Sequence, residues 1–200
     1  MKRFLRHRRP PGTRRGLTLV ELVIALSVAA VSASIFYRLV LATTDLRSLN
    51  RENAIAAGAA GMVLEDLRSV AFRDLWATYN AEPADDPGGA GTAAGATFLV
   101  PELPLVPGEA AHGTIVFPAE VVQVEETVEG EIVLVDVLQL REDLDWPELG
   151  LPRDLNGDSL IDDVDHSLDY QLLPVRVEVR WQGAYGPRTF ELTTMLCELR

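Results

Sequence analysis

The chain has 200 residues, with 18 basic and 30 acidic side chains, a formal net charge of −12 and 48% hydrophobic residues. That balance argues against a nucleic-acid-binding surface, which needs clustered Lys and Arg against the phosphates. The single cysteine, Cys197, rules out a disulfide within the chain.

The first sixteen residues form a basic leader. Lys2, Arg3, Arg6, Arg8, Arg9, Arg14 and Arg15 precede Leu17 with no acidic residue among them. Removing these seven cations leaves 11 basic against 30 acidic residues, a net charge near −19 for the remainder. From Leu17 to Tyr37 runs an apolar stretch of membrane-spanning length, interrupted by one carboxylate, Glu21. Positive flanks stay cytoplasmic, so the amino end is expected inside and the rest of the chain outside. A secretory signal peptide would place a small-residue cleavage site after the apolar stretch, and none with a clean break follows. A carboxylate in a bilayer helix costs roughly 2.5–3.5 kcal/mol on insertion scales, so Glu21 needs a partner or a purpose. An ordinary signal anchor that tolerates Glu21 near the interface is the alternative reading.

The string Arg15-Gly-Leu-Thr-Leu-Val-Glu21 behind a basic leader resembles the amino-terminal motif of type IV prepilins and type II secretion pseudopilins. The resemblance implies cleavage between Gly16 and Leu17 by prepilin peptidase, methylation of the new α-amine, and a mature chain with Glu21 fifth. Leu17 stands where the commonest pattern has Phe. It also implies assembly partners: other pilin or pseudopilin subunits, an inner-membrane assembly platform and membrane lipid. Glu21 is the assembly residue, because a carboxylate one turn from the amine can neutralise a neighbouring subunit's amine and lower the cost of burying both.

The helical pattern continues beyond the membrane stretch. Leu39, Leu46, Leu49, Ala56, Ala60, Val63, Leu67 and Val70 recur at three- and four-residue spacing, while Arg47, Arg51, Glu65 and Arg68 fall mostly elsewhere. One helix is expected from Leu17 to about Trp76, about 90 Å long, of which about 30 Å fits the hydrocarbon. Residues 17–39 form its transmembrane half and residues 40–78 its amphipathic half. Gly58 and Gly61 are expected to mark close packing. Residues 79–112 read as a flexible Gly/Ala/Pro-rich loop, with too few large apolar groups between Asn80 and Ala96 to bury.

Residues 113–200 read as an antiparallel sheet domain. Val121–Val128 and Glu131–Leu140 flank a turn at Glu129-Gly130, and a short strand is expected around Thr114–Phe117. Val175, Val177, Val179 and Trp181 alternate with polar residues, and a turn through Gly183–Pro187 returns the chain as Thr189–Glu198. Cys197 in such a strand suggests a buried thiol. The fold class is α+β: a long amino-terminal helix packed on about four antiparallel strands, as the pilin resemblance implies.

Within this domain Asp154-Leu-Asn-Gly-Asp-Ser-Leu-Ile-Asp-Asp-Val-Asp165 has the register of an EF-hand-like calcium loop, most similar to the dockerin type. Asp154, Asn156, Asp158, Asp162 and Asp165 offer side-chain oxygens at the first, third, fifth, ninth and twelfth places, and Leu160 offers its carbonyl at the seventh. Ser159 stands where the usual loop turns on Gly. An all-oxygen set favours calcium over zinc or copper, with a structural role at roughly 10⁻⁴–10⁻³ M. A solvated acidic connection between strands is the other reading.

No Ser or Cys stands at triad spacing from His7, His112 or His166, so enzymatic activity is not expected. Trp76, Trp146 and Trp181 read as core or edge anchors. The sequence therefore reads as a structural subunit, a minor pilin or pseudopilin, of a type IV pilus or type II secretion pseudopilus. It would be single-pass in the inner membrane, with its sheet domain periplasmic or extracellular. The alternative is a membrane-anchored calcium-binding interaction module that does not polymerise.

Overall fold

The computed structural model describes residues 18–128 and 131–198, which form two compact units divided at Ser48 and Leu49. The cleavage junction Gly16–Leu17 and the turn at Glu129-Gly130 lie outside the described residues. Helix α1 covers Leu19–Ser69. No proline occurs between Thr18 and Ser69, so nothing interrupts its amide ladder.

In the first unit every described residue, 18 to 48, is exposed, including Leu22, Ile24, Leu26, Ile35 and Phe36. The helix there is long and apolar enough to cross a membrane.

In the second unit the helix is amphipathic. Ala56, Ala59, Ala60, Leu64 and Leu67 are buried at helical spacing and join one core with the sheet residues. The sheet has four antiparallel strands in the order β1 (Thr97–Phe98), β2 (Gly113–Val116), β5 (Leu172–Gly183), β6 (Gly186–Cys197). The alternation expected along β5 is what fills the core, with Leu173, Val175, Val177, Val179 and Trp181 fully buried. Across the ladder Ile115 pairs with Val177, and Val177 with Leu192. The α+β, pilin-like arrangement of helix and four-stranded sheet is thus the one observed.

Several details depart from the expectation. The strands β3 (Ala119–Val128) and β4 (Glu131–Leu140) are paired along their whole length, but with each other alone as a separate two-stranded sheet. The near-continuous apolar character of β4 does not translate into burial, since Ile132 and Leu134 are both at least 60% exposed.

Helix α1 stops at Ser69 rather than near Trp76. A 3-10 turn over Phe72–Asp74 and a short helix α2 (Leu75–Tyr79) follow. The break has identifiable causes: Val70 N–H bonds back to Leu67 O in a tightened turn, and Ala71 is extended. Tyr170 then takes over the displaced backbone, donating to Phe72 O at 2.6 Å and accepting from Trp76 N at 3.3 Å.

Gly58 and Gly61 are not sites of close packing within the chain, because a Cβ at either would meet no atom within 4 Å. Cys197 is exposed rather than buried, since along β6 it is Leu196 that points into the core. The segment from Asn80 to Ala96 carries its own hydrogen bonds, Asn80 Nδ2 to Asp85 at 2.7 Å and Gly95 N to Thr78 O at 3.0 Å among them.

Candidate functional site

Two places carry the candidate site residues. The first is the start of α1. Thr18 N and Thr18 Oγ1 both donate to Glu21 Oε2, at 2.9 and 3.0 Å, and Glu21 N donates to Thr18 Oγ1 at 3.3 Å. This is a capping box, in which a hydroxyl and a carboxylate three residues apart satisfy each other's backbone amides. The Thr-x-x-Glu spacing is legible in the sequence, yet Glu21 stands out there only as a charge in an apolar run. Glu21 starts the helix as well as charging it.

The second place is the connection between β4 and β5. Its anchors are apolar: Leu149, Leu151, Leu155 and Tyr170 are buried against the sheet. Between them the acidic loop winds in two halves. In the first half Asp154 accepts from Gly157 N at 2.5 Å and from Ser159 N at 2.7 Å. Desolvation acts to raise its pKa, but donation by the Ser159, Gly157, Asp158 and Asn156 amides together outweighs this and holds it below the usual carboxylate value. Asn156 Oδ1 accepts from Asp158 N, and Asp158 Oδ1 from Leu160 N. Gly157 and Ser159 both have positive φ, 81° and 72°. Ser159 thus adopts the left-handed conformation that an EF-hand-like loop assigns to Gly at its sixth place.

The second half turns toward the sheet. Asp165 Oδ1 accepts from Leu140 N and Ser167 N, both at 3.0 Å, and its Oδ2 accepts from Ser167 Oγ. Asp162 Oδ1 accepts from Val164 N at 3.0 Å and lies 3.2 Å from His166 Nε2. Asp154, Asn156 and Asp158 therefore serve the loop's own turn, while Asp162 and Asp165 bind it to the end of β4.

Sequence reasoning passed over the residues at the centre of that attachment. Glu142 is fully buried, and its two oxygens accept Leu155 N at 2.7 Å and Asp162 N at 3.0 Å. His166 is 3% exposed and sits among the carboxylates of Glu142, Asp162 and Asp169. Burial disfavours its charged form, but those three carboxylates outweigh it and hold its pKa above the ordinary histidine value. Nothing in the spacing of Glu142 and His166 announces this.

His112 is a structural histidine. Its Nδ1 accepts from Val100 N at 3.1 Å and its Nε2 faces Leu103 O at 2.7 Å, so the neutral Nε2–H tautomer satisfies both.

Residues 12–37 match the family model described as the prokaryotic N-terminal methylation motif. The chain carries a prepilin-type motif. The match supports a type IV pilin-like substrate of prepilin peptidase, and the exposed apolar helix behind it fits an inner-membrane anchor. A motif of this kind implies processing by prepilin peptidase and assembly with other pilin subunits. No curated protein and no solved structure matches the chain.

Proposed function

We propose that the chain is a minor pilin or pseudopilin, cleaved between Gly16 and Leu17 and assembled through α1 into a type IV pilus or type II secretion pseudopilus. The observation that carries this reading is Glu21 at the head of an apolar helix whose described residues are exposed from 18 to 48, directly within the matched motif. An apolar surface of that extent needs lipid before assembly and neighbouring helices after it. Both Thr18 donors use Glu21 Oε2, and Oε1 is the oxygen this reading assigns to the α-amine of an adjacent subunit. The strongly acidic exterior domain and the single cysteine suit a minor position better than the main shaft.

The deciding experiment is the intact mass and amino-terminal sequence of the protein extracted from its native membrane. A chain beginning at Leu17, methylated or not, is expected. A chain beginning at Met1 overturns the reading in favour of an anchored module that does not polymerise.

A second reading concerns the acidic loop. We propose that it takes one structural calcium ion through Asp154, Asn156, Asp158, the Leu160 carbonyl, Asp162 and Asp165. Ser159 at φ 72° supports it, since that conformation costs a non-glycine residue energy and serves the turn such a loop needs. Saturable calcium binding to the full-length chain, abolished by D154N/D158N, is the expected result. Binding that is absent, or unaffected by those changes, rejects it.

A further inference from the structure

Glu142, Asp162 and His166 bring one ligand atom each to within 4.8 Å of one another, where β4 ends and the acidic loop closes on it. The imidazole Nε2 lies 3.5 Å from Glu142 Oε1 and 3.2 Å from Asp162 Oδ1. Those spacings bracket the edge of a tetrahedron around a metal with bonds of about 2.0–2.1 Å, roughly 3.4 Å.

Three further features point the same way. First, the other imidazole nitrogen, Nδ1, meets Asp169 Oδ1 at 3.1 Å. A carboxylate behind a ligating histidine fixes its tautomer and raises its basicity. Second, Glu142 is held in position by Leu155 N and Asp162 N, as ligating carboxylates usually are. Third, the charge does not balance. Among the described residues the ion pairs of Glu142, Asp162 and Asp169 are all made to this one imidazole. The neighbouring Arg141 is committed to Asp143 and Glu120. Three carboxylates around one imidazole leave an excess of at least two negative charges, with the Glu142 side chain 1% exposed. A divalent cation removes that excess and allows the imidazole to bind as a neutral ligand.

We propose that Glu142, Asp162 and His166 form a three-ligand site for a borderline divalent transition ion such as zinc, with Asp169 orienting the histidine. One nitrogen and two oxygens suit zinc or cobalt, whereas calcium prefers an all-oxygen shell. Of the three ligands Asp162 is the one that reaches solvent, its side chain 38% exposed. The ion would staple the loop to the end of β4, crossing 20 residues of chain between Glu142 and Asp162. The site shares Asp162 with the calcium reading and otherwise stands apart from it and from the pilin reading.

The test is titration of the detergent-solubilised full-length chain with zinc, followed by X-ray absorption at the zinc edge. One equivalent is expected to bind, with one imidazole nitrogen and carboxylate oxygens in its shell. H166Q is expected to abolish tight binding, and D169N to weaken it 10- to 100-fold. D154N/D158N, which removes two calcium ligands, is expected to leave zinc binding intact. No saturable zinc binding by the wild-type chain, or a zinc shell without imidazole, overturns the proposal. Should H166Q fail to fold, the wild-type absorption spectrum and D169N still decide.

Discussion

Trp181 Nε1 donates to the Glu52 carboxylate at 3.1 Å, joining the last residues of β5 to α1 across 129 residues of sequence. The indole is fully buried and Arg188 stacks 5.7 Å from its ring centroid. Trp181 is the largest fully buried side chain among the described residues, so Trp181→Ala is expected to cost about 3–5 kcal/mol. Trp181→Phe keeps most of the apolar volume but strips the donor from Glu52, and about 1–3 kcal/mol is expected. Chemical denaturation of the two variants measures both; a Trp181→Phe variant as stable as the wild type would mean the hydrogen bond contributes nothing.

Replacing Glu21 separates processing from assembly. Glu21→Ala is expected to yield a chain that still begins at Leu17 but no longer enters a filament or cross-links to neighbouring subunits. Unchanged cross-linking in the native membrane would remove Glu21 from assembly.

Tyr170 is expected to make the sheet domain less stable at alkaline pH. Its hydroxyl is buried between Phe72 O and Trp76 N, and burial pushes its pKa up to about 12 from 10. The folded state then holds a proton that the unfolded chain has lost. Stability from this group is complete below pH 10 and falls as pH rises toward 12, by roughly 2–3 kcal/mol in all. Tyr170→Phe is expected to lower stability at neutral pH by about 1–2 kcal/mol and to flatten the decline between pH 10 and 12. A wild-type and variant with parallel alkaline profiles would exclude Tyr170 as the cause.

Ser159 holds a backbone conformation that glycine adopts freely. Ser159→Gly is expected to relieve about 1 kcal/mol of local strain and to tighten calcium binding several-fold. Isothermal titration of both proteins provides the comparison, and weaker binding by the glycine variant would contradict it.

Gly58 faces open space on α1. In the isolated chain Gly58→Ala is therefore expected to raise thermal stability, by up to about 1 kcal/mol, since alanine is the better helix former and nothing obstructs its methyl group. A loss of stability would show that a neighbour does approach this face.

What consecutive residues determine here is local and periodic. The basic leader, the apolar run with Glu21 and the alternation of Val175 through Trp181 are each legible because charge and burial period act over a few positions. The two-strand pairing of β3 with β4 was legible too, but not its separation from the main sheet, because alternation does not specify which neighbour a strand edge finds. The end of α1 at Ser69 was hidden for a similar reason: Tyr170, a hundred residues on, captures the backbone at Phe72 and Trp76 and makes the break favourable. Cys197 points outward because the register of β6 turns Leu196 inward. Most of all, Glu142 and His166 carry no signal in their spacing. Only closure of the β4–β5 connection, driven by burial of Leu149, Leu155 and Tyr170, brings a carboxylate and an imidazole 24 positions apart into one buried cluster.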